Sequence, residues 1–97
     1  MAEEEKHIWQ IGRLVRSKQG RDKGKYYLIL SYEAANKIIW LVDGQKRGLN
    51  NPKKKNCQHV QIVHKKAEEL AQRTAAGKAV SNQDIYRFLQ ELVGASQ

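Results

Sequence analysis

The sequence has few of the features that mark secreted or membrane-spanning proteins. It contains one cysteine, so no disulfide can form within the chain, which favours a reducing compartment. No apolar run approaches the roughly 18 residues that a membrane span requires. The first six residues, Met1 to Lys6, are mostly acidic and polar, unlike a secretory signal. These absences predict a cytoplasmic protein that does not bind membranes.

The chain also lacks internal repeats and low-complexity linkers, and it has a single proline. Its 97 residues, of which 40% are hydrophobic, suffice for one domain with a modest core. The residue pattern predicts a mainly β fold with added helices. We expect a small β-barrel over residues 8–64 and a helical extension over residues 65–94 that packs on it.

Acidic residues are scarce in the middle of the chain. The formal net charge is +8, and residues 11–66 hold most of the lysines and arginines but only three acids, Asp22, Glu33 and Asp43. Concentrated like charge costs folding stability through self-repulsion, so a dense excess in a folded segment predicts a polyanionic partner. Nucleic acid is the leading interpretation, and a basic surface without a specific target is the alternative.

Four short segments rich in aromatic and branched residues predict β-strands. Turn-forming residues separate these segments, which are 8–17, 25–32, 38–42 and 59–63. Asp43-Gly44 is a strong tight-turn signal at the end of the third segment. Strands at this spacing predict a small barrel or sandwich, and closure would remove exposed sheet edges.

The last third of the chain predicts two helices. Residues 65–76 are good helix formers, and Gly77 ends that helix. Ser81 and Asp84 form a variant of the capping box at the start of the second helix, which we expect to end at Gly94. Its apolar residues recur at helical spacing in one stripe: Ile85, Phe88, Leu89, Leu92 and Val93. The stripe must be buried on the protein's own sheet or on another molecule, and the first is the commoner outcome.

A charged turn bracketed by glycines lies between the first two predicted strands. Gly20 and Gly24 can adopt backbone angles with φ > 0, so the turn can be sharp and can approach a ligand closely. Asp22 lies in the same turn and could orient a neighbouring arginine. Arginine binds phosphate through its planar fork and lysine acts as a mobile charge. We therefore predict phosphate contacts from Arg13, Arg16, Lys18, Arg21, Lys23 and Lys25.

A second basic segment follows the third predicted strand, from Lys46 to Asn56, and Pro52 restrains its loop. A lysine run by itself is weak evidence, since solvated lysine clusters are common. Strands closed into a small barrel can nevertheless bring two loops onto one face. We therefore expect this segment to join the first, and we add to the candidate contacts Lys46, Arg47, Lys53, Lys54, Lys55 and His59.

The first basic segment resembles the KOW motif of RNA-binding and ribosomal proteins. It is most similar to the branch that contains large-subunit ribosomal proteins of the archaeal and eukaryotic fourteen-e class and small bacterial relatives. The matching stretches are Gly12-Arg13-Leu14-Val15, Ser17-Lys18, Gly20 to Lys25, Leu41 to Gly44, Lys46-Arg47, Asn51 to Asn56 and His59-Val60. The resemblance covers about residues 9–63. It implies a five-stranded SH3-like barrel whose basic loops bind RNA, chiefly ribosomal RNA, with ribosomal proteins as further partners.

Other chemistries find little support in the sequence. Gly20 to Lys25 differs from a nucleotide-binding P-loop in its glycine spacing and in the strand that follows it. Cys57, His59 and His64 lack the paired spacing of a zinc site, so we predict no metal site. No plausible acid–base pair or nucleophile set is present, so we expect neither an enzyme nor a cofactor.

The aromatic residues near the basic segments could stack on unpaired bases or fill the core. Core filling is the commoner role in a small barrel, and we expect at most one of them to stack on RNA. The residues are Trp9, Tyr26, Tyr27, Tyr32 and Trp40. The alternative function is a protein–protein interaction module that uses the barrel and the amphipathic second helix. In either case we expect a monomer rather than a dimer.

Overall fold

The computed structural model describes residues 8–96, with side chains through residue 94. Five strands come first and two helices follow, so the architecture is mixed β/α. Neither of these helices is long and apolar enough to cross a membrane. The elements are β1 (Arg13–Ser17), β2 (Tyr26–Glu33), β3 (Ile38–Val42), β4 (Lys53–Asn56), a 3₁₀ turn (Cys57–His59), β5 (Val60–Lys66), α1 (Glu68–Ala75) and α2 (Asn82–Ser96).

The strands form one antiparallel sheet in the order β4-β3-β2-β1-β5. In a flat sheet β4 and β5 would lie about 19 Å apart, which is four spacings of about 4.8 Å. Only Cys57–His59 separate them along the chain, and four Cα steps reach at most about 15 Å. The sheet must therefore bend so that its edges approach each other. No ladder joins β4 to β5 within residues 8–96, so the sheet stays open.

Both faces of the central strands are buried. Leu14, Leu28 and Val42 stand in register on one face, where α1 and α2 cover them. The opposite face carries a second cluster of buried residues: Val15, Tyr27, Ile29, Ile39, Leu41 and Val60. Burial on two faces explains why β2 and β3 are nearly continuous apolar runs rather than alternating ones.

Helix α2 packs part of its apolar stripe onto the sheet. Ile85, Phe88 and Leu89 are at most 5% exposed and belong to the first cluster. The start of the helix is capped as predicted: the Asp84 amide donates to Ser81 Oγ at 3.1 Å, and the Ser81 amide donates to Asp84 Oδ2 at 3.0 Å. The hydrogen bond from the Ser81 backbone is the main reason why the pKa of Asp84 lies below its usual value.

The predicted end of α2 is wrong, because the helix continues through Gly94 to Ser96. Gly94 faces open space, and a glycine costs an exposed helix only about 1 kcal/mol relative to alanine. This cost is smaller than the stabilisation from burying the stripe. At the end of α1, by contrast, Gly77 has a φ of +71° and follows the C-cap residue Ala76, as the sequence predicts.

The sequence prediction missed β4. Its four residues, Lys53–Asn56, contain no aliphatic or aromatic side chain, so no hydrophobic pattern marks the strand. It forms because the edge of β3 offers it a ladder of backbone hydrogen bonds. Other predicted boundaries shift as well. β1 begins at Arg13 rather than at residue 8, and β5 continues to Lys66, so α1 begins at Glu68 rather than at residue 65.

Candidate nucleic-acid interface

The two basic loops leave the same end of the sheet. β2 lies between β1 and β3 and is antiparallel to both, so the β1–β2 turn (residues 18–25) and the β3–β4 loop (residues 43–52) are neighbours. A cleft of about 190 Å³ is lined by residues from both loops. Its basic residues are Arg21, Lys25, Lys46, Arg47 and Lys53. Cations from two segments distant in sequence therefore share one surface.

The β1–β2 turn is closed by backbone hydrogen bonds. Ser17 exchanges two of them, both 2.9 Å long, with the last two residues of the turn. Gly20 and Gly24 each have a φ of +91°, a conformation that residues with side chains rarely adopt. This backbone path turns Asp22 inward, where it is 7% exposed, and leaves its neighbour Arg21 in solvent.

Asp22 forms a buried ion pair with Lys55 of β4. Lys55 Nζ and Asp22 Oδ1 are 2.6 Å apart, and both side chains are 8% exposed. The ammonium group also donates to Ser17 Oγ and to the Gln19 carbonyl, each at 2.8 Å. All three ammonium donors therefore have acceptors, which is the condition under which a buried charge is tolerated.

The Asp22 carboxylate also accepts hydrogen bonds from two hydroxyl groups. Ser17 Oγ donates to Oδ1 at 2.8 Å, and the Tyr27 hydroxyl donates to Oδ2 at 2.9 Å. Lys53 Nζ lies 3.6 Å from Oδ2. Burial raises the pKa of Asp22, but the hydrogen bonds from Lys55, Ser17 and Tyr27 outweigh it and hold the pKa well below its usual value. Burial, followed by the hydrogen bond to this carboxylate, raises the pKa of Tyr27.

The structure gives Lys55 and Asp22 roles that differ from the expected ones. The sequence suggests a phosphate contact for Lys55, but its ammonium group is buried and already paired. The sequence also suggests that Asp22 orients an arginine, yet it pairs with this lysine. The partner lies 33 residues further along the chain, in the strand that no hydrophobic pattern marks. The ion pair ties β4 to the β1–β2 turn and so sets the spacing of the two basic loops.

Two further cationic cavities are also lined by residues of the β1–β2 turn. One has a volume of about 350 Å³, and its basic residues are Arg16, Lys18 and Lys23. The other has a volume of about 400 Å³, and its basic residues are Lys53, Lys54, Lys55 and His59. Because Lys53 lines both this cavity and the central cleft, the two cationic regions adjoin each other.

Two cations of these cavities lie over aromatic rings. The Arg16 guanidinium carbon is 5.8 Å from the centre of the Tyr26 ring, and Lys54 Nζ is 5.8 Å from the centre of the Trp40 ring. Such cation–π contacts contribute about 0.5–1 kcal/mol at exposed sites. These rings therefore restrain long side chains that would otherwise move freely in solvent.

Arg13 lies away from this surface. It begins β1 opposite Lys66 of β5, at the end of the strand that is remote from the β1–β2 turn. Its Nε donates to the Ile8 carbonyl at 3.2 Å. The remaining predicted contacts line the three cavities, although the ammonium group of Lys55 is buried against Asp22.

Three acids of the helices are paired with arginines of the same region. Glu69 lies 2.5 Å from Arg73 of the same helix, and Asp84 lies 3.1 Å from Arg73. Arg87 lies 3.5 Å from Glu91 one turn further along α2. These carboxylates therefore neutralise helical arginines rather than the cations of the basic loops.

Helix α2 holds the β3–β4 loop in place, a role that the sequence did not reveal. The Leu49 amide donates to Asn82 Oδ1 at 2.8 Å. A Cβ atom on Gly44 would lie 2.5 Å from both the Asn82 carbonyl oxygen and the Tyr86 amide nitrogen, so only glycine permits this close approach. Asp43 closes the turn by accepting the amides of Gln45 and Arg47. The Asp43-Gly44 pair was visible as a turn signal, but its docking partner was not.

The three residues considered as metal ligands are not brought together. Within residues 8–96, no three His, Cys, Asp or Glu side chains are placed to hold a metal ion. Cys57 is half-buried against the second cluster, and His64 is exposed on β5.

No protein-family model matches this chain, and no curated protein matches it either. The function must therefore be inferred from the chemistry of the site.

Proposed function

We propose that this protein binds RNA through the cationic end of its sheet. The observation that carries the proposal is the central cleft, where Arg21 and Lys25 of one loop meet Lys46 and Arg47 of the other. Cations gathered from separate loops match a chain of phosphates better than they match a single small anion. Following the resemblance over residues 9–63, we propose ribosomal RNA as the target, and a ribosomal or ribosome-associated role rather than an enzymatic one.

The proposed contact surface is smaller than the sequence suggests. It consists of residues that line the cleft and the two further cavities: Arg16, Lys18, Arg21, Lys23, Lys25, Lys46, Arg47, Lys53, Lys54 and His59. Lys55 is left out because its charge is neutralised in the interior, and Arg13 is left out because it lies at the other end of β1. Arginines there would grip phosphates with two parallel hydrogen bonds, and lysines would add mobile charge.

The buried ion pair supports binding by fixing the loops in advance. Asp22 and Lys55 hold β4 against the β1–β2 turn, and Asn82 holds the β3–β4 loop on α2. Loops that are already ordered lose less conformational entropy when they bind. The cationic surface therefore needs little rearrangement to accept RNA.

We also propose that the bent sheet is an SH3-like barrel of the KOW type. Lys55 of β4 reaches Ser17 of β1, although three strand spacings, about 14 Å, would separate their strands in a flat sheet. Contact across such a separation needs strong curvature, as in a small barrel. The alternative function, a protein–protein interaction module that uses the barrel and α2, is less well supported, because Ile85, Phe88 and Leu89 of the α2 stripe are buried in the first cluster.

Salt dependence tests the proposal directly. With a fluorescently labelled stem-loop RNA and about six phosphate contacts, affinity should fall roughly a thousandfold between 50 and 200 mM salt. Fluorescence anisotropy measures the affinity at each salt concentration. A nearly salt-independent affinity would contradict the proposal. Crosslinking in cells, followed by sequencing of the attached RNA, would identify the target.

A further inference from the structure

A groove adjoins the cationic cleft on the side of α2. It has a volume of about 260 Å³, slightly below the range of about 300–1,000 Å³ that is usual for drug-sized ligands. Tyr26 of β2 and Tyr86 of α2 provide its aromatic surface, Leu89 and Val93 provide aliphatic surface, and Gln45 and Gln90 provide amide groups. A planar heterocycle has the matching chemistry, with two apolar faces and a polar edge.

Tyr86 is unusually placed for a residue of this helix. It lies beside the buried stripe and is 38% exposed, one of two large hydrophobic residues in the described chain with such exposure. Its backbone is held tightly, because the Gly44 backbone approaches the Tyr86 amide closely. A large ring kept partly in solvent on a rigid support is suited to stacking on a ligand.

The groove and the cleft share part of their walls. Lys25, Asp43 and Lys46 line both cavities. An RNA strand whose phosphates contact Lys25 and Lys46 would therefore carry its bases past the mouth of the groove. Unpaired bases can turn outward and stack on aromatic side chains, whereas bases in a duplex are already stacked.

We propose that this groove binds one unpaired nucleobase of the RNA held by the basic loops. Tyr26 and Tyr86 contact the faces of the base, and the side-chain amides of Gln45 and Gln90 hydrogen-bond to its edge. This inference rests on the proposed function and extends it: the preferred target is single-stranded or bulged RNA, and α2 forms part of the binding site.

The test compares two RNAs and two variants of the full chain. The probes are a mixed-sequence single-stranded RNA and the duplex that it forms with its complement. Tyr86→Leu removes the ring and keeps an apolar side chain, and it should weaken single-strand binding about 5- to 150-fold, the usual range for loss of one stacked base. Tyr86→Phe keeps the ring and should bind within about twofold of the parent.

The duplex and the salt slope are the internal controls. Tyr86→Leu should leave duplex affinity nearly unchanged, and it should leave the slope of log affinity against log salt unchanged because no phosphate contact is lost. Lys46→Gln should reduce that slope by about one in both RNAs. Gln90→Trp is an independent variant: its ring would fill the groove and should weaken single-strand binding while every basic residue remains.

The outcomes separate this inference from the proposed function. If RNA binding is salt-dependent but Tyr86→Leu does not change it, the groove does not bind a base, and the RNA-binding proposal still holds. Equal losses for single strand and duplex would also overturn it, since the effect would then be on the fold. If the parent protein bound neither RNA, both proposals would fail.

Discussion

The cationic end of the sheet and the helical side, formed by α1 and α2, differ in how their acidic and basic residues are paired. On the helical side, Glu69, Asp84 and Glu91 form ion pairs with Arg73 and Arg87 near the surface, so the opposite charges neutralise each other there. At the cationic end Asp22 is buried with Lys55, Asp43 accepts backbone amides of its own loop, and many of the surrounding cations face solvent. The first arrangement adds surface stability, whereas the second organises loops and leaves their charge available to a polyanion.

Removal of α2 should have the largest effect on the stability of the fold. Ile85, Phe88 and Leu89 each contribute about 1.5–3 kcal/mol by burial, and their sum approaches the whole stability of a typical small domain. Truncation after Lys78 should therefore abolish cooperative unfolding in urea, followed by near-UV circular dichroism. A truncated chain that unfolded cooperatively and bound RNA normally would show instead that α2 serves a partner.

Removal of the buried carboxylate should have the next largest effect. Asp22→Asn leaves the Lys55 charge without a counter-ion, so the free energy of unfolding should fall by about 3–5 kcal/mol. The matched change on the helical side, Glu91→Gln, breaks an exposed pair and should cost less than about 0.5 kcal/mol. Urea denaturation measures both.

A double variant tests whether Asp22 and Lys55 are energetically coupled. Asp22→Asn combined with Lys55→Met removes both charges and should recover much of the lost stability, because the cost comes from an unpaired buried charge. Strictly additive losses in the double variant would show that the two residues are not energetically coupled.

The stability of the protein should depend on pH through Asp22. Its pKa is lower in the folded state than in the unfolded chain, where it is about 3.9. The stabilisation is therefore complete above that value and is lost as the pH falls below it. Thermal unfolding between pH 6 and pH 2, compared with that of Asp22→Asn, should show a steeper acid decline in the parent; parallel curves would contradict this.

Charge reversal should have the smallest effect on the fold and a clear effect on RNA binding. Arg21→Glu with Lys23→Glu should weaken binding to the stem-loop RNA by at least about tenfold near 100 mM salt, since two cationic contacts become repulsive. Lys78→Glu, an exposed reversal in the α1–α2 connection, should change the affinity by less than about twofold. Equal losses would place the RNA elsewhere on the protein.

The sequence alone determined most of the local elements of this protein, and β4, which has no hydrophobic pattern, is the exception. Apolar runs predicted β2 and β3, because strand segments that are buried on both faces need apolar residues at successive positions. Ser81 and Asp84 predicted the start of α2, since the cap is made between residues three positions apart. The dense positive charge of residues 11–66 identified the basic loops as the candidate site, because formal charge follows from the residue types alone.

Tertiary structure alone decided which of those charges remain available. Lys53, Lys54 and Lys55 are indistinguishable in the sequence, and only the pleat of β4 and the bend of the sheet place the third of them against Asp22. The groove between Tyr26 and Tyr86 was equally hidden, because its two walls come from residues 60 positions apart. Sequence patterns depend on residues that are close along the chain. The burial of a side chain and its ion pairs depend on tertiary contacts, which form only when the sheet folds.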